Sequence, residues 1–407
     1  MMALQVVHSP EDLPETITST VFLAGPSPRK EGDANWRLEA IEALRRAGYD
    51  GVVLAPVPRD GHWPRDYNDQ IAWESAHLAL ADVILMWVPR DLETLPGFTT
   101  NVEFGEWLHS GKLLYGRPAD APKTSYLDAR YRSVNARQKP PFQQPAESLA
   151  DLALQVVQRV GSGASRSAGE RQVPLAVWRT SQFQAWYHEV VQAGNRLDGA
   201  RVLWSFFIPQ ANNLLLSYAL QVKVWVAAEK RHKENEFILS RPDISAICAY
   251  CPDEGTHALL DTRVVLVREF RSPGRTADGF VHDLPGGSTV KPGADPREVA
   301  ASELREETGM TLPAARFRSL GARQLVAPYG THKAHLFAVR LTAQELAEIE
   351  RLERQETVFG VADETERTQV EVRKLSQVLS ERLVDHASVG MIMQACLEDW
   401  MEPATQR

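Results

Sequence analysis

LPGGSTVKPGADPREVAASELREETGM, residues 284–310, decides how the second half of this chain folds. Pro285-Gly286-Gly287 is a turn in which two residues lack a Cβ, so a second chain segment or a phosphate can come close to its backbone. Asp295 suits a helix N-cap, Pro296 the first helical position and Gly309 the residue just past the end. On the helix between them Glu303, Glu306 and Glu307 stand at i, i+3 and i+4, which is one face. Like charges repel at that spacing, and a solvated face is the ordinary outcome of a Glu-rich helix. The glycine turn ahead of it favours a different use. Hard cations such as Mg²⁺ or Mn²⁺ take oxygen ligands and commonly bridge protein carboxylates to substrate phosphates.

Glu303-Leu-Arg-Glu306-Glu307-Thr-Gly309-Met310 resembles the last eight positions of the Nudix box, G-x5-E-x7-R-E-U-x-E-E-x-G-U. The flanks extend the likeness over roughly 240 to 385. Val267-Arg-Glu-Phe-Arg271 resembles a strand of the ADP-ribose pyrophosphatase group, and Ala327-Pro-Tyr-Gly330 resembles that group's proline loop. Asp363-Glu364-Thr-Glu366 resembles the acidic loop from which the group draws a catalytic glutamate. The resemblance implies an α+β Nudix fold that hydrolyses a nucleoside diphosphate linkage. It further implies metal ligands at Glu303, Glu306 and Glu307, a catalytic acid at Glu364 or Glu366, and substrate contacts at Arg271, Gly286 and Gly287. Two positions depart from the pattern. Ala294 stands where the box has its first glutamate, with one extra residue before it, and Ser302 stands where it has an arginine that orients a glutamate. Losing such partners weakens metal affinity by about 10–100-fold. The half is therefore either a slow hydrolase or a sensor of an ADP-ribose- or NAD-like nucleotide that regulates the other half.

The first 160 residues alternate strands and helices. Val21-Phe-Leu-Ala24, Val52-Val-Leu-Ala55, Asp82 to Val88 and Lys112 to Tyr115 read as strands. Asn35 to Ala47, Ala72 to Leu80 and Val102 to His109 read as helices. This order implies α/β architecture with a parallel, Rossmann- or flavodoxin-like sheet. Ligands bind at the carboxyl ends of such strands, so the loops after Ala24, Ala55 and Val88 should line the site. Glu103, in Pro96-Gly-Phe-Thr-Thr-Asn-Val-Glu103-Phe-Gly105, is expected to open a helix there, where the dipole stabilises a carboxylate.

Phe22-Leu-Ala-Gly25-Pro26, Asn35-Trp-Arg37, Trp73-Glu74, Ala81-Asp82-Val-Ile-Leu-Met-Trp, Thr99-Thr100-Asn-Val-Glu103-Phe-Gly105 and Gly111-Lys112, in that order, resemble nucleoside 2-deoxyribosyltransferase-like proteins over about 20 to 130. The resemblance implies that Glu103 attacks the sugar C1′ and displaces the base, that Glu74 assists the leaving base or positions the sugar, and that Asp91 supplies the acid after the strand. Gly25, Pro26 and Thr100 would then line the substrate. Arg29, Arg37 and Arg90 are candidate partners for a 5′-phosphate, which would make the half an N-glycosidase for nucleotides or a base-transferring enzyme.

At 407 residues the chain suits two domains, and a net charge of −8 argues against a nucleic-acid polymer or an anionic membrane as partner. Small-molecule nucleotides remain. The Gly/Ser-rich stretch 161–172 reads as a flexible linker between domains at 1–160 and 173–407. Cys248 and Cys251 form a C-x-x-C without the second pair a zinc ribbon needs, inside a run that reads as a strand. The opening residues lack a signal-peptide pattern, and the greasiest stretch, Leu214 to Ala228, is broken by Gln221 and Lys223. A cytoplasmic protein with reduced thiols is expected. A homodimer is implied by the self-association common in both resembled families.

Overall fold

The computed structural model describes residues 4–27, 35–60, 67–209, 213–288, 291, 293–360 and 367–401. The chain divides into two compact units, Met1–Ser240 and Arg241–Arg407. The boundary thus falls some way beyond the stretch read as a linker.

The first unit opens with β1 (Gln5–His8), β2 (Thr16–Ile17), β3 (Thr20–Ala24), α1 (Trp36–Arg46), β4 (Val52–Ala55), α2 (Tyr67–Leu80), β5 (Val83–Trp87), α3 (Phe98–Trp107) and β6 (Leu113–Gly116). Helices α4 (Ser125–Asn135) and α5 (Leu149–Val160) follow. Five strands make a parallel sheet in the order β1-β4-β3-β5-β6. Its strands are apolar on both faces because helices cover both. Val21, Leu23, Val83, Leu85 and Trp87 pack toward α1 and α5, while Phe22, Ala24, Ile84, Met86 and Val88 pack toward α2 and α3. Chain order reverses between β3 and β5, and the loops after these two strands frame the crevice where such sheets bind ligands.

The segment 161–172 is not a flexible linker. Arg166 and Ser167 form β7, which pairs antiparallel with β2. Arg166 is fully buried, and its guanidinium meets the Asp82 carboxylate at 2.6 and 3.0 Å. Asp82 also accepts from the Thr20 amide at 2.7 Å and the Leu175 amide at 2.6 Å. Glycine and serine dominate the composition here, and a single arginine overrides it. Residues 173–240 continue the same unit as α6 (Leu175–Trp178), α7 (Ser181–Gln192), β8 (Arg196–Ile208), β9 (Leu214–Val226) and β10 (Arg231–Ser240). The three strands form an antiparallel meander packed on Val173, Val177 and Phe183. Its far end reaches back to the parallel sheet: a Cβ at Gly111 would collide with the Phe207 ring, and the Asn213 amide donates to the Gly111 carbonyl at 3.2 Å.

The second unit contains β11 (Ile244–Cys251), β12 (Arg263–Phe270), β13 (Phe280–Asp283), β14 (Gly286–Gly287), α8 (Pro296–Thr308), β15 (Arg318–Gln324), β16 (Lys333–Arg340), α9 (Ala343–Arg354), β17 (Val358–Phe359), β18 (Thr368–Lys374), α10 (Leu375–Ser380) and α11 (His386–Met401). Its mixed sheet runs β15-β16-β11-β12-β18-β17, with β13 and β14 attached to β12 and β11. One face packs against α8 and α9, the other against α10 and α11. Strand alternation sends Cys251 to the first face and Cys248 to the second, so the C-x-x-C cannot act as a pair. Among the described residues, no helix is long and apolar enough to cross a membrane.

Removing one partner of a buried ion pair strands the other charge away from water. Asp82→Ala should therefore destabilise the first unit by about 3–5 kcal/mol in chemical denaturation. Replacing both residues with apolar ones, as Asp82→Leu with Arg166→Met, should recover part of that loss.

Candidate functional site

Glu103 does not open a helix. Gly97, in a left-handed conformation with φ 64°, precedes α3, and Glu103 lies on its second turn. The helix dipole consequently does little for this carboxylate, and its environment acts the opposite way. Burial pushes its pKa up to about 7, helped by the negative charge of Glu74 and opposed by Arg37. Glu74, on α2, is also raised, first by burial, against a lowering hydrogen bond from Gln70 and the charge of Arg37. Gln70 is itself buried; its amide donates to Glu74 Oε1 at 2.7 Å and to the Pro56 carbonyl at 3.1 Å, while its oxygen accepts from Ser9 at 2.6 Å. Two half-buried carboxylates from two helices therefore both feel the Arg37 charge, and Glu103 also feels that of Glu74.

Arg37 itself serves in a role other than the one expected. It is buried, and Nε, Nη1 and Nη2 donate to the carbonyls of Leu23, Pro26 and Gly25 at 3.3, 3.4 and 2.7 Å. Its guanidinium holds the loop after β3 and is not offered to a phosphate. Burial lowers its pKa to about 10, with Glu103 and then Glu74 drawing it back up. Trp36 Nε1 donates to the same Pro26 carbonyl at 2.8 Å. Gly25 is required here: its φ is 146°, and a Cβ would strike the Trp87 carbonyl and the Trp36 ring. Pro26 reaches the turn at Gly97, whose Cβ position lies 3.5 Å from both Pro26 Cβ and Thr100 Oγ1.

Arg90 is buried, with Nη1 on the Lys123 carbonyl at 2.7 Å and Nη2 on Asn101 Oδ1 at 2.5 Å. Arg90 Nε and Thr100 Oγ1 are buried polar atoms with no hydrogen-bond partner among the described residues. Asp91 is exposed and closes a turn, Oδ1 accepting from the amides of Glu93 and Thr94 and from the Thr94 hydroxyl. That turn is its visible task. Arg29 lies outside the described residues.

In the second unit α8 is capped as its sequence implies, with Asp295 accepting from the Arg297 amide at 2.9 Å and Gly309 left-handed at φ 72°. Two of its three glutamates face the Gly286–Gly287 turn. Glu307 Oε2 accepts from the Gly286 amide at 2.8 Å, and a Cβ on Gly287 would lie 2.5 Å from Glu303 Oε1. Glu306 points elsewhere: it is exposed and accepts from the Ser302 hydroxyl at 2.7 Å, which in turn accepts from Arg305 at 3.3 Å. Ser302 thus orients a glutamate by hydrogen bonding. Arg271 pairs with Glu269 at 2.8 Å. Among the described residues, no three His, Cys, Asp or Glu side chains gather closely enough to hold a metal ion. Glu364 and Glu366 lie outside the described residues.

Residues 18–121 match the family model described as nucleoside 2-deoxyribosyltransferase like, and residues 245–382 match the NUDIX domain model. The chain joins a nucleoside 2-deoxyribosyltransferase-like domain to a NUDIX domain. No curated protein matches the chain. The deoxyribosyltransferase-like match covers four of the five parallel strands, β3 to β6, with Gly25, Arg37, Glu74 and Glu103; it leaves out the edge strand β1 and stops before the antiparallel meander. The NUDIX match begins in β11 and ends after α10. NUDIX domains generally use divalent metals. Glu303 and Glu307 provide the oxygen donors such a cation takes and would hold it against the glycine turn. Sequence reasoning missed Gln70, although it stands one turn before Glu74 on the same helical face, a spacing that was visible.

Two measurements check these environments. Glu103 should titrate near pH 7 when followed by carboxyl NMR, and Glu74→Gln, which removes a neighbouring negative charge, should shift that titration to lower pH. Gly287→Ala should displace the Glu303 carboxylate and weaken Mg²⁺ binding by about tenfold or more in calorimetry, with the fold retained by circular dichroism.

Proposed function

We propose that the deoxyribosyltransferase-like domain cleaves the N-glycosidic bond of a nucleoside monophosphate, and that the NUDIX domain hydrolyses a nucleoside diphosphate linkage. The observation that carries the first part is the carboxylate pair: Glu103 and Glu74 have raised pKa values, and both feel the charge of Arg37, whose guanidinium holds the loop after β3. Two carboxylates under one positive charge, with Glu103 changing charge near pH 7, can divide nucleophile and general base between them. In its ionised form Glu103 attacks C1′, the C–N bond breaks, and its electron pair leaves with the base, which takes a proton from solvent while the Glu74 carboxylate positions the sugar. Water then attacks C1′ of the ester, giving its proton to the Glu74 carboxylate and freeing Glu103.

A phosphate on the substrate is supported by Arg90 Nε and Thr100 Oγ1. Both are buried without partners beside the start of α3, whose cap residue Gly97 offers no side chain to the first amides. A phosphate placed there would satisfy both groups and the helix amides together. In the NUDIX domain the bound cation supplies charge neutralisation on the phosphate oxygens. Glu303 and Glu307 hold it, and the Gly286–Gly287 backbone lets the substrate approach. A nucleoside monophosphate released there is the class of molecule the first domain takes.

Glu306, turned toward Ser302, and Ala294 in place of an acid favour a second reading. In it, the NUDIX domain binds an ADP-ribose- or NAD-like nucleotide without cleaving it and regulates the other domain.

Mass spectrometry of products from a nucleotide library with Mg²⁺ separates these. The first reading expects free base and sugar phosphate that disappear with Glu103→Gln, and monophosphate release that falls with Glu303→Gln. Neither base nor phosphate release from any nucleotide would sink it. Tight nucleotide binding without turnover, unchanged by Glu306→Gln, would favour the sensor. The ascending limb of base release against pH should lie near 7, because Glu103 must lose its proton before it attacks.

A further inference from the structure

The side-chain amide of Gln70 has no freedom to turn over. Gln70 is buried and stands one turn before Glu74 on α2. Its Nε2 meets two acceptors, the Pro56 carbonyl at 3.1 Å and Glu74 Oε1 at 2.7 Å. A backbone carbonyl can only accept, so the amide atom facing it must be the donor nitrogen. On the other side the Ser9 hydroxyl donates to Gln70 Oε1 at 2.6 Å. Turning the amide over would set its oxygen against the Pro56 carbonyl and the Glu74 carboxylate, away from water.

Ser9 is fixed in its turn. It is buried, directly follows the edge strand β1, and its amide donates to the Ala55 carbonyl at the end of β4 at 3.1 Å. Two residues on, the Glu11 carbonyl accepts from Trp73 Nε1 at 3.1 Å. The loop after β1 thus grips α2 at residues 70 and 73, neighbours on one helical face. Strand β1 lies ahead of the matched residues 18–121, so the clamp joins the shared core to a strand that the family model leaves out.

This clamp decides which part of Glu74 is available. Its Oε1 is occupied by a donor that cannot rotate away, and among the described residues Oε2 carries no hydrogen bond. We propose that Ser9 and Gln70 are positioning residues for Glu74: the clamped amide caps Oε1 and presents Oε2 to the sugar and to the attacking water. The assignment rests on the glycosidase reading above. In the second half of that reaction the water oxygen bonds to C1′, the ester bond from C1′ to Glu103 breaks, and the water proton goes to Oε2 of Glu74. That transfer requires a carboxylate, and a fixed N–H on Oε1 favours the charged form against the effect of burial. Arg37 pulls the same way, while Glu103 is the neighbouring acid.

Carboxyl NMR of the full chain and the pH profile of base release test this together, on Gln70→Met and Ser9→Ala, with circular dichroism as the check on folding. Gln70→Met should move the Glu74 titration to higher pH, because the donor to its charged form is gone. It should lower kcat for base release at pH 7 by about tenfold or more. Raising the pH should restore part of that loss, which damage to packing alone would not allow. Ser9→Ala keeps both Gln70 donors, so it should shift the titration the same way by less, and it decides the matter if Gln70→Met unfolds. A Glu74 titration left at the wild-type pH in either variant overturns the proposal, as does a loss of kcat that no pH restores. Absence of base release from the wild type would sink the glycosidase reading, while the titrations, which need no substrate, would still decide on the clamp.

Discussion

The Asp82 carboxylate accepts from the Arg166 guanidinium, from the Thr20 amide and from the Leu175 amide, all out of water. A charge in that setting is tolerable only while every partner is present, because desolvation costs several kcal/mol per ion. The interaction therefore specifies position as much as it stabilises. It ties the start of β5 to the start of β3, and both to a segment more than eighty residues further along the chain. The height at which Trp87, Pro89 and Arg90 emerge from the sheet follows from it. So does the attachment of the meander, which grows out of the chain directly after Leu175.

Arg37 plays the corresponding part at the other end of the strands. Its three bonds to backbone carbonyls shape the loop after β3, and its charge reaches Glu103 and Glu74. Burial and the guanidinium act on these carboxylates in opposite directions, and burial wins at Glu103. The outcome is an acid that changes charge near neutral pH, with a second one beside it. A helix N-terminus would have acted against burial and favoured the ionised form of Glu103. Its place on the second turn of α3, beyond Gly97 and Thr100, leaves the helix amides open to a ligand phosphate instead.

The NUDIX domain builds its site by another route, with glycine in place of arginine. Gly286 donates to Glu307 and Gly287 leaves room for Glu303, so two carboxylates sit against backbone that no side chain could share. Ser302 shows how a substitution in a motif changes a contact without abolishing it: a hydroxyl directs Glu306 at 2.7 Å, but away from the turn. The face read from helical spacing thus splits, because i and i+4 point at the turn and i+3 falls to one side.

Much was legible without coordinates. Periodicity and turn residues placed β3, β4, β5, α1 and α8 within a residue or two, since each carries its own apolar pattern or its own caps. Glu74, Glu103, Glu303 and Glu307 were nameable because they stand in ordered motifs. What the sequence could not show is whatever depends on one side chain meeting a distant backbone. Arg166 lay hidden in a Gly/Ser-rich stretch whose composition suggests a linker, and Arg37 read as a phosphate ligand until its carbonyl partners were seen. Local pattern determined which elements form and which acids are present. Only the tertiary structure decided which of those acids are buried together, because desolvation and ion pairing arise between residues that the chain brings close and the sequence keeps apart.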